Sequence, residues 1–247
     1  MKHWGIMVIA FIIMLIINGL GSAGYINGQS QAEISNKLDV LFTPDGYVFS
    51  IWGLIYLLLI IWLFIQYRRF NTSNQTPSSI VYLFLATCLL NVAWLFTWHY
   101  EQFVIAQIMM FLLLFTLLIL YMRYPKNDKS FGGRLPFSLY TGWISVAAIA
   151  NMSYTLKHYD ISLSIPEVGG TIGLIIIAVL LAIATLYRRH DPFYALVFVW
   201  AFIGIGTVNT NNILVASAFI GAIIVALAIL SLLFVGIKKS KLEREFE

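Results

Sequence analysis

The sequence predicts an all-α protein, a polytopic membrane bundle of about eight transmembrane helices. Three observations predict it. Hydrophobic residues make up 60% of the 247 and charged residues only 11%, with a mean hydropathy of +0.87, whereas a soluble domain carries roughly 25% charged residues. Apolar runs near the length that crosses a hydrocarbon core recur along the whole chain. When those runs are threaded back and forth, the basic residues separate into two very unequal groups.

Taken in order, the runs are bounded by charges or by Pro, Gly and Asn. The first, 4–22, follows Lys2 and His3 and ends at Gly21-Ser22-Ala23-Gly24. That pattern also occurs in cleavable signal peptides, but the apolar run is long for one, so it is read as a retained span. The second, 47–67, is entered through Thr43-Pro44-Asp45-Gly46-Tyr47, where Pro44 and Asp45-Gly46 mark a turn. The third and fourth are 80–98 and 102–122. The fifth, 136–156, starts at Pro136, whose missing N–H costs nothing in a first helical turn. The sixth, 169–187, holds Gly169 and Gly173, a small-xxx-small pair suited to helix packing. The last two, 193–209 and 213–236, are joined by a minimal turn at Asn209-Thr210-Asn211-Asn212. The only sizeable linker is 23–46.

Charge tests this count. Lys2, Arg68, Arg69, Arg123, Lys126, Lys129, Arg134, Arg188, Arg189, Lys238, Lys239, Lys241 and Arg244 fall on one side, and only Lys37 and Lys157 on the other, so the 15 basic residues divide 13 to 2. The positive-inside rule then makes both termini cytoplasmic. The net charge of +4 sits in short loops and does not suggest nucleic acid. Cys88, the single cysteine, lies in an apolar run, so no disulfide framework exists.

The spans lack interior ionisable groups. His99, Glu101 and Asp191 stand at span ends. Ion-coupled transporters usually carry such groups within the membrane, metalloenzymes need clusters of His, Asp and Glu, and no nucleotide-binding loop is present. A pump or hydrolase is therefore disfavoured, no cofactor is expected, and the chain is read as a non-enzyme.

Three polar and aromatic stripes stand out. They are Phe49, Trp52 and Tyr56, then Asn91, Trp94 and Trp98, then Tyr140, Trp143, Ala147 and Asn151. Spacings of three and four place each set on one helix face. An amide at mid-span must find partners, which makes Asn91 and Asn151 either inter-helix glue or anchors in an apolar pocket. Trp52, Trp94 and Trp143 serve either packing or ligand contact. Trp4, Trp62 and Trp98 lie near span ends and read as interfacial-belt residues, whereas Trp200 reads as packing between helices.

These residues resemble the TspO/MBR family, the tryptophan-rich sensory proteins related to the mitochondrial translocator protein (peripheral benzodiazepine receptor). LFTPDGYVFSIWGLIY at 41–56 is similar to the second-helix signature, with Phe49, Trp52 and Tyr56 at its spacing. LLNVAWLF carries LNxxW at Leu90, Asn91 and Trp94, and SLYTGWISVAAIAN carries YxxWxxxAxxxN at Tyr140, Trp143, Ala147 and Asn151. The resemblance covers roughly 1–157. It divides the chain into a five-helix membrane domain at 1–157, three additional helices at 158–236, and a charged cytoplasmic tail at 237–247. It departs from the family pattern at Leu139, where a Pro is usual, and in the linker 23–46, which has no Trp. The cholesterol motif after the fifth span is incomplete, so sterol binding is not expected.

The resemblance implies a five-helix bundle, often a homodimer, whose pocket is closed by the loop after the first helix. It implies a protein that binds a flat hydrophobic ligand such as a porphyrin or haem-like tetrapyrrole, while the Lys/Arg loops and the lack of organelle targeting suggest a multi-pass protein of the bacterial cytoplasmic membrane. The resemblance implies ligand contacts from Trp52, Trp94, Trp143, Ala147 and Asn151, and their stripe partners Phe49, Tyr56, Asn91 and Tyr140 complete the expected ligand-binding set. Two alternatives are a carrier of such a ligand and a signalling or scaffold protein acting through a protein partner.

Overall fold

The computed structural model describes residues 2–70, 76–161 and 165–245. Each predicted span is a helix: α1 Lys2–Ser22, α3 Ile51–Phe70, α4 Ser78–His99, α5 Phe103–Met122, α6 Leu135–His158, α7 Glu167–Arg189, α8 Pro192–Val208 and α9 Asn212–Glu245. Two short elements interrupt the long linker, α2 at Gln31–Ser35 and a 3-10 turn at Gly46–Ser50. There is no strand among the described residues. The backbone of α9 runs as helix through the predicted tail to Glu245. The side chains of Lys2, Lys238, Lys239, Lys241 and Arg244 lie outside the described part of the structure.

Six of these helices, α1, α3, α4, α5, α7 and α9, are long and apolar enough to cross a membrane. The apolar α8 is shorter, at 17 residues. The 24-residue α6 is more polar, with Ser138, Thr141, Ser145, Asn151 and Thr155 all buried. Such residues are tolerated because neighbouring helices cover them and supply hydrogen-bond partners, the usual fate of polar groups in a bundle core.

The first five long helices close a ring in the order α1, α3, α6, α5, α4 and back to α1. On the outside of that ring α8 packs against α6, while α7, α8 and α9 pack on one another. Gly142 of α6 permits the close approach, since a Cβ there would lie 3.0 Å from the Tyr194 carbonyl oxygen. The Ser145 and Tyr194 hydroxyls are 3.0 Å apart across the same seam.

Loops gather at two ends. At one end lie the long linker, the α4–α5 turn, the α6–α7 connection and the α8–α9 turn. Lys37 pairs there with Glu101, whose carboxyl the Lys37 hydrogen bond holds below the usual carboxylate range. Lys157 pairs with Glu167 at 2.7 Å. Asn211 Oδ1 accepts the backbone N–H groups of Ile213 and Leu214, making the α8–α9 turn as tight as its sequence predicts. α2 carries a capping box, with Ser30 and Glu33 exchanging side chain-to-backbone bonds.

The opposite, basic end is held by a buried polar cluster. Asp191 is fully buried and caps α8 by accepting the N–H groups of Phe193 and Tyr194. It also accepts the hydroxyls of Tyr121 at 2.7 Å and Ser138 at 2.6 Å. Arg134, 1% exposed, sits 3.4 Å from the same carboxylate and donates to the Arg189 carbonyl at 3.0 Å. Arg134 and Arg189 both lie over the Tyr121 ring.

Three readings of tryptophan need correction. Trp200, expected between helices, is 36% exposed and meets Tyr47 and the Val48 carbonyl of the 3-10 turn. Trp62 and Trp98, expected in interfacial belts, are 0% and 4% exposed. Trp62 donates to the Tyr124 hydroxyl at 3.1 Å and packs on Phe84 and Phe137. Trp98 packs on Phe103 and Tyr154 and donates to the Gln31 carbonyl. Each indole N–H finds an inward partner, which distance from a span end does not reveal. Trp4 stays half-buried at the basic end, its indole donating to the Leu63 carbonyl at 2.9 Å.

Candidate functional site

The three stripes converge beneath the linker. Trp52 stacks on Tyr56 at 5.5 Å and meets Tyr140 and Trp143 edge-on at 5.8 and 6.3 Å. Phe49 meets Trp143 edge-on at 5.6 Å. Trp94 stacks on Trp98 at 6.1 Å. These are favoured geometries for aromatic pairs, in which ring edges meet ring faces or rings lie offset.

Two adjoining cavities lie among these rings. The inner one, ≈ 60 Å³, is walled by Trp52, Trp94, Trp98 and Trp143, with Ala147, Ala150 and Asn151 along α6 and Thr43, Pro44 and Phe49 above. The outer one, ≈ 390 Å³, lies between α1, α2 and α3 and is lined by Leu15, Asn18, Gly19, Gln31, Trp52 and Tyr56, among others. Gln31, Phe49, Trp52 and Trp94 line both, so these four side chains form the partition. The outer volume alone falls within the range of about 300–1,000 Å³ common for small-molecule sites.

Seven of the nine predicted site residues reach a cavity. Phe49, Trp52 and Trp94 line both, Trp143, Ala147 and Asn151 the inner one, and Tyr56 the outer one. Asn91 and Tyr140 line neither and stand behind the wall. They belong to a chain of bonds across three helices: Asn18 Nδ2 donates to the Met14 carbonyl at 2.8 Å and to Asn91 Oδ1 at 2.7 Å, and Asn91 Nδ2 donates to the Tyr140 hydroxyl at 3.3 Å. A second chain runs through the wall itself. Trp94 Nε1 donates to Asn151 Oδ1 at 3.1 Å, Asn151 Nδ2 to Gln107 Oε1 at 2.6 Å, and Gln107 Nε2 to the Ala148 carbonyl at 3.4 Å.

Both asparagines therefore act as inter-helix glue, and Asn151 also presents its amide to the inner cavity. Trp143 differs. It is 2% exposed, lines the inner cavity, and its indole N–H has no hydrogen-bond partner. Buried donors are nearly always paired, and this N–H is one of the few exceptions among the described residues.

Sequence reasoning missed several contributors. Asn18 and Gln107 carry the signal that singled out Asn91, a lone amide in an apolar run. Gln31 and Ser35 reach the inner cavity from α2, which the Ser30-to-Glu33 capping-box spacing announces. Tyr154 braces α2 from below, its hydroxyl donating to the Ile34 carbonyl at 2.9 Å.

A family model described as TSPO-like protein matches residues 4–231. The match continues beyond the first 157 residues through α7 and α8 and into α9. No curated protein and no solved structure matches the chain. With a match over most of its length, and with the three stripes facing one another in a multi-pass helical bundle, this chain belongs to the TSPO-like protein family.

Proposed function

We propose that this TspO-type membrane protein is a binding and sensory protein, not an enzyme, and that the paired cavities take a flat hydrophobic heterocycle of the porphyrin class. One observation carries the reading. Four indoles wall a cavity in which Ala147 and Ala150 leave a low stretch of wall on α6, and the N–H of one of those indoles, Trp143, is buried without a partner. Indole faces suit a planar apolar ring system. The free donor asks that this ring system bring a peripheral acceptor, as propionate oxygens do. The Asn151 amide, already anchored by Trp94 and Gln107, offers a fixed polar edge.

The cytoplasmic membrane is the proposed location, with both termini cytoplasmic. Support comes from the separation of Lys37 and Lys157 at the linker end from Arg69, Arg134 and Arg189 at the other. The cavities then open toward the outer leaflet.

A binding screen of the purified protein tests the ligand class. Haem and protoporphyrin are expected to quench tryptophan fluorescence saturably, while sterols of similar hydrophobicity leave it unchanged. Non-saturable quenching by every apolar compound would contradict a built site.

A further inference from the structure

We infer that α8 is the clamp of the cavity roof, with Gly204 and Trp200 as positioning residues that set how far the inner cavity opens. The roof is the stretch 41–50. Thr43, Pro44 and Phe49 face the inner cavity from it, and it leads directly into α3, which carries Trp52. Its own backbone bonds are short-range, those of the 3-10 turn Gly46–Ser50 with Val48 N–H to Asp45 O at its start, and Thr43 N–H reaches back only to Val40 O. Such a segment has little to hold it in place by itself.

α8 supplies the hold at three points in antiparallel order. Asn209 Nδ2 donates to the Leu41 carbonyl at 3.0 Å, the Asp45 N–H donates to the Gly204 carbonyl at 3.1 Å, and Trp200 Nε1 donates to the Val48 carbonyl at 3.0 Å. Trp200 also meets the Tyr47 ring edge-on at 5.3 Å. Between the outer two bonds the backbones come close enough to require glycine. A Cβ on Gly204 would lie 2.2 Å from Val48 Cγ2 and 3.2 Å from Pro44 Cβ. Val48 is fully buried and Pro44 is itself a roof residue, so neither can retreat without lifting the roof.

The size of the inner cavity gives this clamp its consequence. At ≈ 60 Å³ it has room for little more than a few water molecules. Seating a planar ring against Trp143 therefore requires the roof to rise, and the bonds to α8 are what it must loosen. A helix beyond the five-helix ring thus controls access to a site within it. The inference rests on the proposed site for its consequence, whereas roof position is measurable with no ligand at all.

The experiment places a reporter thiol at Ala150→Cys, on the inner wall, in a Cys88→Ala background, and follows its labelling by N-ethylmaleimide. Loss of one roof bond in Trp200→Phe is expected to raise the rate roughly fivefold, the change one hydrogen bond makes in a local opening equilibrium. Gly204→Ala is expected to do the same, and adding Val48→Ala is expected to bring the rate back toward the parent value by making room for the new methyl. An unchanged rate in Trp200→Phe, or a Gly204→Ala effect that Val48→Ala leaves intact, overturns the clamp. Failure of porphyrin to bind any of these proteins speaks against the ligand class and leaves the labelling result to judge the clamp.

Discussion

At the scale of single residues, the amides hold the wall and the indoles face the space. Asn91 donates to Tyr140 and accepts from Asn18, so Asn91→Leu strands two buried partners. Hydrogen bonds between helices are worth about 0.6–2 kcal/mol each. The variant is expected to lose about 1–3 kcal/mol of stability, read as a lowered midpoint of thermal unfolding in detergent, while porphyrin affinity changes little because Asn91 reaches neither cavity. Trp62 shows what a single sequence withholds at this scale. Its place near a span end suggested an interfacial ring, yet its N–H turns inward to Tyr124, a loop residue 62 positions away. Nothing local to Trp62 encodes that partner. Asn91 and Asn151 were readable because an unpaired amide in lipid is costly wherever its partner comes from.

At the scale of elements, the long helices were readable throughout, whereas the short α2 was missed and the helix neighbours were not readable. Hydropathy and turn residues marked all eight long helices, including α6, whose polar residues weaken the apolar signal but whose Pro136 start and periodic stripe remain. What packs on what depends on small surface details. Gly142 and Gly204 look alike in sequence, but the first seats α8 on α6 and the second seats the linker on α8. The start of α8 carries the largest electrostatic stake. Asp191 is fully buried, neutralises part of the Arg134 charge and caps the helix. Removing one partner of a buried pair typically costs about 3–5 kcal/mol. Asp191→Ala is expected to be destabilised on that scale in thermal unfolding, and Asp191→Asn, which keeps the capping oxygen, by clearly less. Equal melting of the two variants would assign the whole effect to the lost carboxylate charge and none to the cap.

At the scale of the whole molecule, a five-helix ring holds the candidate site, three further helices pack outside it, and one of them, α8, bonds to the roof. The threading of charges anticipated which loops share an end, since Lys37 and Lys157 both lie at the linker end. Labelling intact cells with a membrane-impermeant thiol reagent, on a Cys88→Ala protein, is expected to modify Lys37→Cys and leave Lys129→Cys untouched until the membrane is opened. The reverse pattern would invert the topology. The central claim, that the stripes wall a ligand cavity, is tested most directly by protoporphyrin titration of the parent protein and of Ala147→Trp, whose indole fills the inner cavity. The expected result is saturable quenching in the parent and its loss in the variant, with helix content and melting retained. Quenching of equal midpoint and amplitude in a folded Ala147→Trp protein would contradict the claim.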